Sequence, residues 1–274
     1  MGILTFKITG SGNHPFQTRA VSPDEVAREL PSGFYTTFST LASGTKVLGF
    51  RAHLQRLYAP STEQGISPSV REDVLRARIA ELCKLNLPLE SRIRLILTKN
   101  NGMIYAVVQA FTPLPRLVYE DGVSVVTAEM SRIAPNVKDT GFISASIAQR
   151  EKVGGKIFEV LLTKEGRILE GMTSNFYAVK GSSLLTAGRG ILPGVTRRVI
   201  LRIARGEGMS LIYRSPRVDE KFHEAFLTSS SRGVVPIIAI DGKPVGQGRP
   251  GKWTNLLSKA YQACVQERSE NIAG

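Results

Sequence analysis

The stretch that decides how this chain is interpreted is residues 170–176, Glu-Gly-Met-Thr-Ser-Asn-Phe. It begins 32 residues after Lys138, which stands in the stretch 134–140, Ala-Pro-Asn-Val-Lys-Asp-Thr. A third stretch, residues 192–197 with the sequence Leu-Pro-Gly-Val-Thr-Arg, has the pattern of a loop that opens into a helix. A lone lysine, a lone glutamate or a lone Gly-Val-Thr would mean little. In this order they predict a cofactor site.

The three stretches in this order resemble the class IV aminotransferases, the fold-type IV enzymes that use pyridoxal 5′-phosphate. That family includes branched-chain and D-amino-acid aminotransferases and aminodeoxychorismate lyase. The resemblance extends from about Ser32 to about Tyr261. It implies an α+β fold with two domains, like that of D-amino-acid aminotransferase, and a homodimer.

The composition is that of an ordinary globular protein. The chain has 274 residues, of which 42% are hydrophobic and 7% aromatic, enough for one large or two modest domains. The longest apolar runs, such as 234–240, are far shorter than the roughly 20 residues that span a bilayer. We expect no signal peptide, and Cys83 and Cys264 are interpreted as free thiols of a cytoplasmic protein. The three histidines have no metal-ligand spacing, so we expect no metal site.

The formal charge of +13 is the unusual number in the composition. Clustered Lys and Arg would favour a nucleic-acid partner. The 36 basic residues are instead spread along the chain and interrupted by acids, without an aromatic and basic strip of the kind that stacks on RNA. The sequence therefore predicts a solvated basic surface that attracts anionic ligands, and neither a nucleic-acid nor a membrane partner.

Short helices and strands without regular alternation predict the α+β class. Ser69 and Glu72 form a candidate capping box for the first predicted helix. The sequence 112–115, Thr-Pro-Leu-Pro, is the best candidate break. We expect a small α/β domain at 1–112, a linker at 113–122 and a larger cofactor-binding domain at 123–274. Helices are predicted at 69–86, 195–204 and 253–267, and strands at 92–98, 103–111, 124–130, 158–163, 175–179, 225–228 and 237–240.

Pyridoxal phosphate needs an amine, a carboxylate for its pyridine nitrogen, anion donors for its phosphate, and a protein grip on the substrate. The resemblance implies that Lys138 is the catalytic amine. It likewise implies that Glu170 holds the pyridine nitrogen protonated, which makes the ring a strong electron acceptor. The alternative interpretations are a surface lysine and a solvated turn glutamate.

The phosphate has a physical candidate at the predicted helix start, because free backbone amides and the helix dipole favour an anion there. Arg56, in the string His-Leu-Gln-Arg-Leu at 53–57, matches the family's phosphate arginine. The hydroxyl-rich sequence 228–231 resembles the second loop of the phosphate cradle. The cofactor-binding residues implied in this way, besides Lys138 and Glu170, are Arg56, Ser174, Asn175, Gly194, Val195, Thr196, Ser229 and Ser230.

For the substrate, Arg92 and Arg94 alternate along a predicted strand, so both side chains lie on one face. Two cations on one face are unfavourable unless they are solvated or matched to an anion. Arg94 stands where branched-chain aminotransferases place an arginine for substrate carboxylates, and Tyr35 matches an aromatic residue of the substrate pocket. The chain departs from the branched-chain pattern at two places: Thr36 replaces an acid, and the sequence 141–143 after the lysine lacks a tyrosine.

These features predict an aminotransferase that moves an amino group between an amino acid, branched-chain or glutamate-like, and a 2-oxo acid. A lyase that converts aminodeoxychorismate into 4-aminobenzoate and pyruvate would use the same Lys138 and Glu170, so the motifs leave it open. A D-amino-acid aminotransferase is a second alternative on the same fold. A basic binding protein that kept the fold but lost turnover is a third.

Overall fold

The chain divides into two compact units in the computed structural model, which describes residues 2–273. The first unit runs to Thr112 and also contains Val137–Ala145 and the residues from Glu267 onward. The second unit contains Pro113–Asn136 and Ser146–Gln266. None of the helices in the described part of the chain is long and apolar enough to cross a membrane.

The helices and strands are numbered in chain order through both units. The helices are α1 (Pro23–Glu29), α2 (Phe50–Glu63), α3 (Glu72–Cys83), α4 (Arg116–Glu120), α5 (Gly141–Ala145), α6 (Ile147–Arg150), α7 (Val195–Gly206) and α8 (Lys252–Arg268), with a 3₁₀ turn at Lys84–Asn86. The strands are β1 (Leu4–Ile8), β2 (Asn13–Pro15), β3 (Gly33–Ser39), β4 (Lys46–Leu48), β5 (Ser91–Thr98), β6 (Ile104–Ala110), β7 (Val123–Glu129), β8 (Ile157–Lys164), β9 (Arg167–Gly171), β10 (Asn175–Lys180), β11 (Ser183–Thr186), β12 (Ser210–Tyr213), β13 (Glu224–Ser229), β14 (Gly233–Ile240), β15 (Lys243–Pro244) and β16 (Ser269–Asn271).

The first unit is built on an antiparallel sheet with strand order β2-β1-β6-β5-β3. Alternation along β5 sends Ile93, Leu95 and Leu97 into one core with α2 and α3. Ile96 packs in a separate core with α1 on the other face, which is also the face of Arg92 and Arg94. The chain's last strand, β16, pairs with β4 in a small ribbon of the same unit.

The outer edge of β3 is covered by the segment that carries Lys138. The amide of Tyr35 donates to the carbonyl oxygen of Lys138 at 2.8 Å, and the amide of Thr140 donates to the carbonyl oxygen of Gly33 at 2.9 Å. The Thr140 hydroxyl in turn accepts from the amide of Gly33 at 2.9 Å. Because these bonds continue the sheet, they fix the backbone of Lys138 to the first unit.

The second unit is built on a mixed sheet with strand order β12-β11-β10-β13-β14-β7-β8-β9, and β15 pairs with β14. The pairs β7–β8, β7–β14 and β11–β12 are parallel. Its core packs Phe176, Leu161, Leu227 and Val235. Helix α7 follows β11 along the chain and leads to β12, the parallel neighbour of β11 in the sheet.

Every helix and strand predicted from the sequence is present, with ends shifted by up to four residues. The predicted capping box is wrong. Helix α3 begins after Arg71 without a side-chain cap, and the Ser69 hydroxyl accepts instead from the amide of Ile104 at 3.2 Å. The predicted linker contains the short helix α4, and helix α2, which carries Pro60 internally, was not predicted.

Both cysteines are free and buried, with Cys83 only 2% exposed. Burial raises the pKa of the Cys83 thiol to about 12, so very little of the reactive thiolate exists at pH 8. We expect Cys83 in a Cys264→Ser variant to react with a disulfide reagent at pH 8 far more slowly when native than in urea. Labelling of the native variant as fast as that of the unfolded chain would contradict this placement.

Candidate functional site

Three residues that were predicted separately, Lys138, Tyr35 and Arg94, lie together in the first unit. Tyr35 is 4% exposed, and two cationic side chains contact its ring. The Lys138 Nζ lies 4.7 Å from the ring centroid, and the Arg94 Cζ lies 5.0 Å from it. Cation–π attraction therefore links the lysine and the arginine through one aromatic ring.

Arg94 is buried, and a carboxylate of the same unit compensates its charge. Its Nη1 lies 2.5 Å from an oxygen of Asp24, in the first turn of α1, and its Nε donates to the Thr37 hydroxyl at 3.1 Å. Arg92, two residues earlier on the same strand face, is half-buried. Two cations on one strand face need an anion or solvent, and Asp24 supplies the anion for Arg94, which was not predicted from the sequence.

The peptide after Lys138 is held by a second ion pair. The Asp139 carboxylate pairs with Lys99, and it also accepts from the amide of Gly141 at 2.7 Å. Lys99 lies over the Phe34 ring, with its Nζ 5.1 Å from the centroid. Asp139 thus restrains the start of α5, directly beside the catalytic lysine predicted from the sequence.

Glu170 is a buried, oriented carboxylate in the second unit. It is 2% exposed at the end of β9, so the interpretation as a solvated turn residue is wrong. Its Oε1 accepts from Arg132 Nε at 2.7 Å, and its Oε2 accepts from the Leu192 amide at 3.1 Å and from Asn175 Nδ2 at 3.3 Å. Arg132 is itself buried, and such pairs are stable only when their hydrogen bonds are satisfied. Arg132 belongs to none of the recognised motifs.

Asn175 connects Glu170 to the start of α7. Its Nδ2 also donates to the carbonyl oxygen of Leu192 at 2.8 Å. A Cβ on Gly194 would lie 2.2 Å from the Asn175 side-chain oxygen, and a Cβ on Gly171 would lie 2.1 Å from the Ser174 hydroxyl. Both positions therefore require glycine, because a larger residue would displace the side chains that fix this site.

A second buried acid, Glu159, was also missed by the sequence analysis. It is 1% exposed and pairs with Arg232 Nη2 at 2.9 Å. The same carboxylate oxygen accepts from the Thr173 hydroxyl at 2.7 Å and the Ser174 hydroxyl at 3.3 Å. Arg232 Nε donates to the Ser229 hydroxyl at 3.1 Å. The predicted residues Ser174 and Ser229 thus share one hydrogen-bonded cluster.

The start of α7 has the properties of an anion site. Its N-cap, Gly194, supplies no side-chain hydrogen bond, and the first-turn amides of a helix lack intrahelical partners. The Thr196 hydroxyl is buried and has no hydrogen-bond partner of good geometry in residues 2–273, although the Tyr261 hydroxyl is close to it. Burial raises the pKa of Tyr261 to about 12, so this neighbour is uncharged at neutral pH.

The predicted residues are therefore divided between the two units. Arg56, half-buried on α2, is in the first unit with Lys138, Tyr35, Arg92 and Arg94. The predicted residues in the second unit are Glu170, Ser174, Asn175, Gly194, Val195, Thr196, Ser229 and Ser230.

In the described part of the chain, no group of three or more His, Cys, Asp or Glu side chains is arranged to hold a metal ion.

The sequence model of the amino-transferase class IV family matches residues 33–240. The chain belongs to this family. The predicted family, the aminotransferase activity and the pyridoxal-phosphate cofactor are thereby confirmed.

Relatives with different activities share this chain's sequence or fold. A D-alanine aminotransferase of Bacillus licheniformis is 27% identical over 229 residues, which are 78% of this chain and 81% of the relative. A branched-chain amino acid aminotransferase of Escherichia coli superposes with a TM-score of 0.75 at 19% identity, over 100% of both chains. The 4-amino-4-deoxychorismate lyase of Pseudomonas aeruginosa superposes with a TM-score of 0.73 at 19% identity, over 95% of this chain and 98% of the lyase. The predicted fold class is confirmed.

Proposed function

We propose that this protein transfers an amino group between a glutamate-like or branched-chain amino acid and a 2-oxo acid, with Lys138 and Glu170 as its central residues. The observation that carries the proposal is the buried Glu170 carboxylate, held by Arg132, Asn175 and the Leu192 amide. A buried carboxylate with both oxygens fixed is suited to hold a proton on a ring nitrogen.

The side chains of the second unit fit the cofactor. The Thr196 hydroxyl is buried without a well-formed hydrogen bond, and the uncapped start of α7 supplies amides, so a phosphate would satisfy both. When bound, pyridoxal phosphate supplies an electron sink for the carbanion of the substrate. Thr196, Val195 and Gly194 would hold the phosphate, and Glu170 would keep the ring nitrogen protonated.

We propose cofactor-binding or catalytic roles for the remaining predicted residues. Arg56 would contribute a guanidinium to the phosphate, and Ser229 and Ser230 would contribute hydroxyls. Ser174 and Asn175 would act by fixing the turn after Glu170 and the start of α7. Lys138 would hold the cofactor through Nζ, and the same amine would carry a proton to and from the substrate carbon.

The substrate preference is proposed from Tyr35, Arg92 and Arg94. A substrate carboxylate would displace Asp24 from the buried Arg94, and the Asp24 side chain, which is 30% exposed, would be solvated, so the Arg94 charge would stay compensated. Apolar substrates would leave the existing Arg94–Asp24 pair in place. We therefore propose that both kinds of substrate are used and that a second carboxylate, as in glutamate or 2-oxoglutarate, is favoured.

Arg94→Ala is expected to raise the Michaelis constant for glutamate about tenfold or more, because a charge-assisted hydrogen bond contributes about 1.5–3 kcal/mol. The constants for leucine and alanine should change little. Steady-state kinetics with each amino donor check this, and Asp24→Asn is the companion variant, since it should lower the constant for glutamate. Equal losses for glutamate and leucine would make Arg94 a structural residue.

A lyase acting on aminodeoxychorismate is the second candidate, because a lyase shares this fold. The two are separated by a half-reaction screen. The purified protein is mixed with L- and D-amino acids and conversion of the cofactor spectrum is followed. Conversion supports an aminotransferase and identifies the hand of its substrate. Release of pyruvate from aminodeoxychorismate without an amino acceptor, and no conversion by any amino acid, would assign the protein to the lyases.

We also propose a cytoplasmic homodimer. The buried free thiols support a reducing compartment, and the family resemblance supports the dimer. Light scattering of the purified protein tests the proposed dimer: a mass of one chain, 29.9 kDa, at micromolar concentration would reject it.

A purified protein that is colourless and cannot be loaded with cofactor would favour a binding protein without turnover.

A further inference from the structure

Arg197, the third residue of α7, is a buried cation without a carboxylate partner among residues 2–273. Its side chain donates to the Thr186 hydroxyl at 2.6 Å and to the Ala187 carbonyl oxygen at 2.8 Å, and the residue is 7% exposed. Both partners are neutral. Burying a charge is costly unless an opposite charge or strong hydrogen bonds compensate it.

The other two buried arginines of the described chain differ from Arg197 in this respect. Arg94 pairs with Asp24, and Arg132 pairs with Glu170. The two aromatic rings near Arg197 do not provide a counter-charge either. Its Cζ lies 5.9 Å from the Tyr177 ring and 6.0 Å from the Tyr213 ring, and burial raises the pKa of Tyr177, which keeps this phenol neutral.

The position of Arg197 adds to the imbalance. A cation in the first turn of a helix opposes the dipole, whose positive end is there. The neighbouring Thr196 hydroxyl is buried without a well-formed hydrogen bond, and Gly194 gives the helix no side-chain cap. A fixed positive charge, first-turn amides that the helix itself does not use and a buried hydroxyl without a well-formed hydrogen bond thus coincide in one turn of the second unit. An anion is the group that satisfies all three.

We propose that Arg197 is the counter-cation of a phosphomonoester dianion bound at the start of α7. It is a positioning residue that acts through the electrostatic potential, held by Thr186 and Ala187, and it is not itself among the groups that grip the phosphate. This inference rests on the proposed function in identifying the dianion as the phosphate of pyridoxal phosphate. It predicts that Arg197 contributes to the affinity for the phosphate and not for the pyridine ring.

The test compares two ligands that differ only in the phosphate, pyridoxal phosphate and pyridoxal. Their dissociation constants are measured on cofactor-free protein at low ionic strength for the wild type, Arg197→Met, Arg197→Gln and Arg197→Lys. We expect Met and Gln to weaken pyridoxal phosphate binding about 10- to 100-fold and to leave pyridoxal binding unchanged. Lys should restore most of the loss, and added salt should weaken binding less steeply in the Met variant than in the wild type.

Arg198→Met is the matched control, because Arg198 is the next residue of the same helix turn and is exposed. Its loss should change neither dissociation constant appreciably, since solvent screens an exposed charge. An equal loss of pyridoxal phosphate and pyridoxal binding in Arg197→Gln, or a loss in Arg198→Met as large as in Arg197→Met, would overturn the proposal.

Failure of the proposed function gives a different result. If the protein transfers no amino group, the inference is still tested by inorganic phosphate. Phosphate should raise the melting temperature of the wild type and of Arg197→Lys, and at the same phosphate concentration the shift in Arg197→Gln should be clearly smaller. An equal phosphate-induced shift in all three proteins would overturn the role of Arg197 whatever reaction the enzyme catalyses.

Discussion

Lys138→Ala is expected to abolish nearly all amino-group transfer while the chain still folds. Loss of a positioned acid–base group alone costs about 10²–10⁴-fold in rate, and loss of the covalent attachment adds to this. The fold should persist because the sheet extension at Lys138 is made by its backbone carbonyl oxygen, which accepts from Tyr35 and is kept in alanine. Half-reaction rates measure the first effect, and circular dichroism with thermal melting measures the second.

Borohydride reduction of the cofactor-loaded protein supplies an independent measurement. The reduced adduct should map to Lys138 by peptide sequencing and should be missing from Lys138→Ala. Lys156→Ala, which removes an exposed lysine of the second unit, is the matched control and should keep both turnover and the adduct. An adduct on any other lysine would reject the central assignment.

Glu170→Ala is expected to bind cofactor and lose about 10²–10³-fold in turnover, since the proton on the ring nitrogen would no longer be held. The structure predicts a second effect of the same substitution. It removes the carboxylate that pairs with the buried Arg132 guanidinium, and breaking a buried ion pair costs about 3–5 kcal/mol of stability. Turnover and melting temperature should therefore fall together in this variant.

A double variant separates the two effects. Arg132→Met with Glu170→Gln removes both charges and retains similar volumes, so stability should recover relative to Glu170→Ala. Turnover should stay low, because the amide cannot hold a proton on the ring nitrogen as a carboxylate does. Recovery of turnover along with stability would mean that Glu170 has only a structural role.

The parts of the molecule that were predictable from the sequence are those set by neighbouring residues. The alternation in β5 and the Gly-Val-Thr start of α7 are local patterns, and the structure has both. The wrong capping box shows the limit of local patterns. Ser69 is 35 residues from Ile104 along the chain, yet the hydroxyl accepts from that amide and not from its own helix.

The compensating charges of the site could not be predicted for the same reason. Arg132 and Glu170 are 38 residues apart, Asp24 and Arg94 are 70 apart, and Glu159 and Arg232 are 73 apart. Only the tertiary fold brings such pairs together, and no periodicity or spacing in the sequence predicts them. A resemblance to known motifs identified Glu170 and Arg94, but it did not identify the partners that compensate their buried charges.

The segment Val137–Ala145 and strand β16 have a consequence for synthesis of the protein on the ribosome. Both belong to the first unit, the first part of which ends at Thr112. Strand β3 therefore lacks the segment that covers its edge until residues 137–145 are made. Strand β4 lacks its partner until residues 269–271 are made. At about 5–20 residues per second, the interval from residue 112 to residue 269 lasts roughly 8–30 s. During that interval the nascent chain presents the unpaired edge of β4, and until residue 145 is made it also presents the edge of β3. Exposed strand edges are sites at which other chains can pair.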